Sequence, residues 1–146
     1  MHIVKELLQT KDREVWSVCP QAPVFDALRI MADKNIGALL VMEEGKLVGI
    51  FSERDYARNS ILRGNSCIAS MVGQLMTKMV FYVSPEDSVE NCMALMTEKH
   101  IRHLPVMENG QVIGMLTPGD LVKQIISDQK ITIQQLEKFI TGGYKA

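Results

Sequence analysis

The sequence predicts an α+β fold in which one structural unit is used twice. Shifted by 65 residues, positions 18–58 lie over 83–123 without a gap, and thirteen of the 41 pairs are identical. Within each copy the apolar spacing passes from strand to helix to paired strands and back to helix, a β-α-β-β-α order. A unit this short cannot bury its apolar face alone, so the copies are expected to pack on each other as one domain.

Each copy opens with a short strand, Val15–Val18 or Val80–Val83, ending at Pro20 or Pro85. A helix follows. Its apolar stripe is Val24, Ala27, Leu28 and Met31 in the first copy, and Val89, Cys92, Met93 and Met96 in the second. Both read i, i+3, i+4, i+7, the stripe of a helix with one buried face. Pro23 suits a first helical turn, and Asp87 with Glu90 reads as a capping box. Two strands joined by a hairpin come next, Ala38–Met42 to Lys46–Phe51 and His103–Met107 to Gln111–Leu116. Asn109-Gly110 marks the second turn, because both residues tolerate positive φ. A last helix begins at Ser52 or Thr117.

The remaining segments are connections and ends. Arg63–Ser66 reads as a linker, and Val72–Met76 as a short helix before the second copy. Ile3, Val4, Leu7 and Leu8 form one short amphipathic helix, and Ile133, Leu136 and Ile140 suggest another before Gly142-Gly143. Such helices cover the module or dock on a second subunit, with self-covering the plainer reading. The expected organisation is a single module over 1–146, with repeats at 10–62 and 75–127, a linker at 63–74 and a C-terminal helix and tail at 128–146.

Composition narrows the function classes. The chain has 146 residues, 47% hydrophobic and 23% charged, with a net charge of −1. Without clustered Lys and Arg there is no nucleic-acid footprint. No apolar run approaches the ~20 residues that span a bilayer, and the start reads as no secretory signal. The cytoplasm is therefore the expected compartment. Cys19, Cys67 and Cys92 form no CxxC pair, which argues for reduced thiols.

Two heptapeptides remain, GIFSERD at 49–55 and GMLTPGD at 114–120. A hydroxyl at N-cap with an acid at N3 is a helix cap, and Pro118 fits N1. A helix N-terminus with a hydroxyl and free amides is also an anion site. Gly49 and Gly114, three residues before the hydroxyl, mark close approach by backbone or ligand.

Two β-α-β-β-α copies, each ending G-h-h-[ST]-x-x-D, resemble a pair of cystathionine β-synthase (CBS) domains, a Bateman module of the stand-alone type. The resemblance covers about residues 10–127. It implies two repeats packed with pseudo-two-fold symmetry, and an adenosine ligand (AMP, ADP, ATP, an NAD-type dinucleotide or S-adenosylmethionine) in the cleft between them. It implies regulation and no catalytic cofactor.

Carried over by residue, the resemblance gives Asp55 and Asp120 the ribose hydroxyls, and Ser52 and Thr117 the phosphate. The Asp120 pocket would borrow Ala22, Ala27, Gly37 and Ala38 from the other copy, with Met115 beside them. The Asp55 pocket would borrow Asp87, Cys92, Arg102 and His103, with Arg54 a further phosphate ligand. Gly37-Ala38 leaves room for a base where Arg102-His103 is bulky, so the Asp120 pocket is expected to be the roomier. The resemblance further implies a homodimer, and a chain this short must signal to a separate regulated protein. A ligand-free dimerisation scaffold is the alternative. Catalysis has less support: His100 and His103 straddle a helix–strand junction, Ser127–Lys130 lacks the companions of an S-x-x-K motif, and no Walker A or GxGxxG occurs.

Overall fold

The computed structural model describes residues 2–10, 14–62 and 69–140. In order these form α1 (Val4–Thr10), β1 (Ser17–Val18), α2 (Val24–Lys34), β2 (Ala38–Glu43), β3 (Lys46–Ser52) and α3 (Glu53–Leu62), followed by α4 (Val72–Leu75), α5 (Val89–Lys99), β4 (Leu104–Glu108), β5 (Gln111–Leu116) and α6 (Pro118–Ile140). The expected α+β architecture is what is found. The linker expected at Arg63–Ser66 and the Gly142-Gly143 stop lie outside the described residues.

The two hairpins correspond in turn and bulge. Each turns on two residues of positive φ, Glu44-Gly45 and Asn109-Gly110, and each carries a bulge at the same place, Val41/Met42 and Val106/Met107. α2 and α5 both end on a left-handed residue, Asn35 and His100. Asn and His are both among the non-glycine residues enriched in that conformation.

The first strands are not equivalent. Ser17–Val18 pairs in parallel with Leu40–Val41, and the Leu40 amide donates to the Trp16 carbonyl at 3.1 Å. The repeat puts Pro105 where Leu40 stands. Proline has no N–H to give, and the strand expected at Val80–Val83 reduces to one bridge between Val83 and Val106. The expected Asp87/Glu90 capping box is also replaced. Ser88 is the N-cap of α5, its hydroxyl accepting from the Asn91 amide at 3.1 Å. Asp87 instead closes the preceding turn, accepting from the Ser84 amide at 2.7 Å.

Two cores form, and the short helices cross between them. α1 precedes the first repeat, yet Val4, Leu7 and Leu8 pack with Val89, Cys92, Leu104 and Leu116 of the second. α4 precedes the second repeat, yet Val72 and Leu75 pack with Val24, Leu39 and Phe51 of the first. The backbone bonds repeat too: Val4 and Lys5 amides donate to the Asp87 and Pro85 carbonyls, as Val72 and Gly73 donate to Ala22 and Pro20. Each repeat is thus completed by the helix that leads into the other.

This exchange explains the two glycines. A Cβ on Gly49 would lie 2.6 Å from Met76 Sδ and 2.9 Å from the Thr77 carbonyl oxygen. One on Gly114 would lie 2.7 Å from Leu8 Cδ2. The close approach comes from the exchanged segments, α4 with its continuation and α1.

The C-terminal segment differs from expectation. No Gly or Pro falls between 120 and 140, so α6 runs unbroken from Pro118 to Ile140 and no separate terminal helix forms. Its start is anchored by buried Leu121. α1 covers the second core as expected, whereas from Gln129 onward α6 covers nothing.

Candidate functional site

At the start of α3, Asp55 Oδ2 accepts from the Ser52 amide and the Ser52 hydroxyl, both at 2.9 Å. The Asp55 amide donates back to Ser52 Oγ at 3.1 Å. At the start of α6, Asp120 Oδ2 accepts from the Thr117 amide at 2.8 Å and the Thr117 hydroxyl at 3.0 Å. The first heptapeptide is therefore a reciprocal cap, and in the second the Asp120 amide donates instead to the Thr117 carbonyl at 3.1 Å. The cap has a cost for binding. An ionised carboxylate only accepts, so each hydroxyl proton is committed to its own Asp. Asp55 carries a further bond, its Oδ1 accepting from the Thr77 hydroxyl at 3.0 Å.

A cleft lies beside each cap, and the two are repeat equivalents. The first, of about 420 Å³, is lined by Ile50, Ser52, Arg54, Asp55, Phe81 and Lys99–His103, with Gly37 at its inner edge. The second, of about 380 Å³, is lined by Met115, Thr117, Trp16 and Lys34–Ala38, with His103 at its inner edge. Subtracting 65 from Lys99–His103 gives Lys34–Ala38, and from Phe81 gives Trp16. Shape recurs, but charge does not. The first cleft gathers Arg54, Arg58, Lys99 and Arg102 against Glu53 and Asp55. Among the described residues, the charged side chains of the second are Glu14 and Lys34.

None of Arg54, Arg58 and Arg102 has an ion-pair partner among the described residues. Lys99 lies over the Phe81 ring at 5.5 Å, and Lys34 over the Trp16 ring at 4.3 Å.

The structure thus brings Ser52, Asp55, Arg54, Arg102 and His103 to one cleft, and Thr117, Met115, Gly37 and Ala38 to the other. Asp120 holds Thr117 but is not among the residues that line the second cleft. Four assigned residues fall elsewhere. Ala27 and Cys92 are fully buried, one in each core, because each sits on the inward stripe of its helix. Ala22 packs against the first core, and Asp87 is engaged at Ser84. Burial pushes the Cys92 thiol up to about 11, with Asp87 and Glu90 adding to the shift.

The expected difference in room is absent. Arg102 and His103 line the first cleft without closing it, and His103 reaches across so that its Nε2 lies 3.6 Å from a Cβ position at Gly37. Arg58, read from the sequence as solvent-facing, also lines the first cleft, and Trp16, Lys34, Phe81 and Lys99 had no site role from sequence. Lys34/Lys99 is an identical pair in the repeat, and that was the available signal.

The CBS domain model matches residues 4–61 and 72–127, spans that begin where α1 and α4 begin. CBS domain-containing protein CBSX3, mitochondrial, of Arabidopsis thaliana is 35% identical over 150 residues, covering 97% of this chain and 73% of that one. The structure of a protein with CBS domains from Burkholderia ambifaria matches with a TM-score of 0.83 at 45% identity, over 88% of this chain and 96% of that one. CBSX2, solved in complex with AMP, matches with a TM-score of 0.73 at 26% identity, over 87% and 98%. Matched twice by one family model, once over each repeat with the short helix that precedes it, the chain belongs to the CBS domain family and carries a pair of its domains.

Proposed function

We propose that this chain is a non-catalytic regulatory module that binds an adenosine nucleotide in the clefts between its repeats and signals to a separate protein. The observation that carries the reading is the pair of repeat-equivalent clefts, each with an Asp-capped helix start on its wall. Pockets of this size accept small-molecule ligands. The AMP complex of CBSX2 supports the adenosine class.

The charge difference assigns the clefts. With the Ser52 hydroxyl committed to Asp55, phosphate recognition in the first cleft falls to Arg54, Arg58, Lys99 and Arg102. Guanidinium groups suit phosphate, offering paired donors in a plane. Asp55 already accepts three bonds of the roughly four its two oxygens take, leaving room for one ribose hydroxyl. The second cleft, with Trp16 and little net charge, suits an uncharged nucleoside portion. NAD, AMP, ADP and ATP all remain within this class. A homodimer in the cytoplasm is part of the same reading, and the exposed α6 face favours the dimer.

Calorimetry with adenosine, AMP, ADP, ATP, NAD and GMP tests it. Affinity is expected to rise with phosphate count and to exceed that for GMP. Arg102→Ala should weaken ATP about tenfold, since a charge-assisted bond contributes ~1.5–3 kcal/mol, while adenosine changes little. If no adenine compound binds, the ligand-free scaffold gains; steady consumption of ligand would establish an enzyme.

A further inference from the structure

From Gln129 to Ile140 every residue of α6 is exposed. Twelve residues span about 18 Å, and a helix of that length without a packing partner is marginal in water. Yet this stretch carries Ile133, Leu136, Phe139 and Ile140 at 54%, 54%, 86% and 81% exposure. Something must cover it, and the spacing says what. Val122, Ile126, Gln129, Ile133, Leu136 and Ile140 follow one another in steps of four, three, four, three and four. That is the seam of a coiled coil, with Ile126, Ile133 and Ile140 at a, and Val122, Gln129 and Leu136 at d. The seam is separate from the face that holds α6 to its own module. Leu121 is buried there, Ile125 packs on the second core, and Asp128 Oδ1 meets His2 Nε2 at 2.7 Å. Leu121 and Asp128 lie about a third of a turn from the seam, and Ile125 stands between them and it, flanking the seam.

We propose that α6 pairs with α6 of a second copy, parallel and in register, as a two-stranded coil. Two features select this occupant. Ile at every a position, with Leu136 as the apolar d residue of the exposed stretch, favours two strands in a parallel coil. Gln129, the only polar seam residue, sets the register: in a parallel pair the two carboxamides meet and hydrogen-bond, whereas in an antiparallel pair each faces an apolar side chain and loses its partners. The flanks do not oppose it. Residues at g face those at e five positions on, so Thr132 faces the second copy's Glu137 and Ile125 faces its Lys130, with no like charges opposed. Phe139 flanks the seam and gains cover; Ile131 lies on the far side and stays exposed. The inference stands independently of the ligand reading.

Cysteine cross-linking in the full chain tests it. In a Cys19→Ser, Cys67→Ser background, Gln129→Cys should form a disulfide-linked dimer on mild oxidation. Ser127→Cys, which points away from the seam, should not. Equal cross-linking at both positions, or none at Gln129→Cys, overturns the arrangement, an antiparallel pair included. Separately, Ile133→Asp with Leu136→Asp should weaken self-association at least tenfold in sedimentation and lower the helical signal at 222 nm. Both side chains are exposed in the single chain, so the body still folds. Unchanged association and helicity in that variant would also overturn the proposal, even if the modules dimerise through another face.

Discussion

At Gly114 the available space is set by one side chain, Leu8, which makes the position testable by a thermodynamic cycle. Gly114→Ala forces Leu8 Cδ2 to move from 2.7 Å, and overpacking of this kind costs ~1–3 kcal/mol. Leu8→Ala alone should cost ~2–5 kcal/mol through the cavity it leaves. The double variant is expected to cost less than the sum, because the new methyl enters vacated space. Additive urea midpoints would disprove the contact. Gly49→Ala should be the more damaging glycine change, since the Thr77 carbonyl is backbone and cannot swing aside. Cys92 gives a second test. Its thiol, held up to about 11, stays protonated at pH 8 and is buried, so with Cys19 and Cys67 replaced by Ser no label should enter until denaturant is added. Raised above its unfolded value, that pKa contributes stability below about pH 9 and loses it as pH climbs toward 11. The Ser52/Asp55 and Thr117/Asp120 caps were readable in sequence because they span four residues. The glycine contacts were not, since Gly49 and Met76 meet only after the chain has exchanged its short helices.

Among the elements, the segment after α4 has the most to say about the first cleft. Thr77 exchanges two backbone bonds with Ile50, at 3.0 and 2.8 Å, and its hydroxyl holds Asp55 Oδ1. It therefore adds an edge to β3 while occupying one of the acceptors that a ribose would use. Thr77→Val keeps the shape and removes the hydroxyl. Stability should fall by about 1 kcal/mol, and nucleotide affinity should hold or rise slightly as an Asp55 lone pair is released. A tenfold loss of affinity would instead make Thr77 a ligand contact. The hairpins and long helices were legible because turn residues and period-3.6 stripes declare themselves locally. The second copy of β1 was overestimated: Pro105 sits in its partner strand, and a missing donor is felt only across the ladder. The continuity of α6 was hidden for another reason. The repeat stops near 127, and a boundary in repetition is not a boundary in helix.

The exchange of α1 and α4 makes the two repeats one thermodynamic body. Neither core is complete without a segment from outside its own repeat: the first needs Val72 and Leu75, the second Val4, Leu7 and Leu8. Cooperative unfolding of the whole chain is therefore expected, with calorimetric and van't Hoff enthalpies in agreement. Leu39→Ala in the first core and Leu104→Ala in the second each remove a fully buried side chain, at ~2–5 kcal/mol apiece. For a chain of this size each should lower Tm by several degrees, at roughly 2–4 °C per kcal/mol. The decisive point is which signal moves. If the halves are coupled, either substitution shifts one common transition and Trp16, beside the first core, reports the loss of Leu104 as faithfully as the loss of Leu39. Should Leu104→Ala split the melt, with Trp16 fluorescence unchanged while helical signal from α5 and α6 is lost, the repeats fold independently. A cleft between them could then be filled without informing both halves, which would leave ligand binding in the first cleft unable to alter the surface that α6 presents.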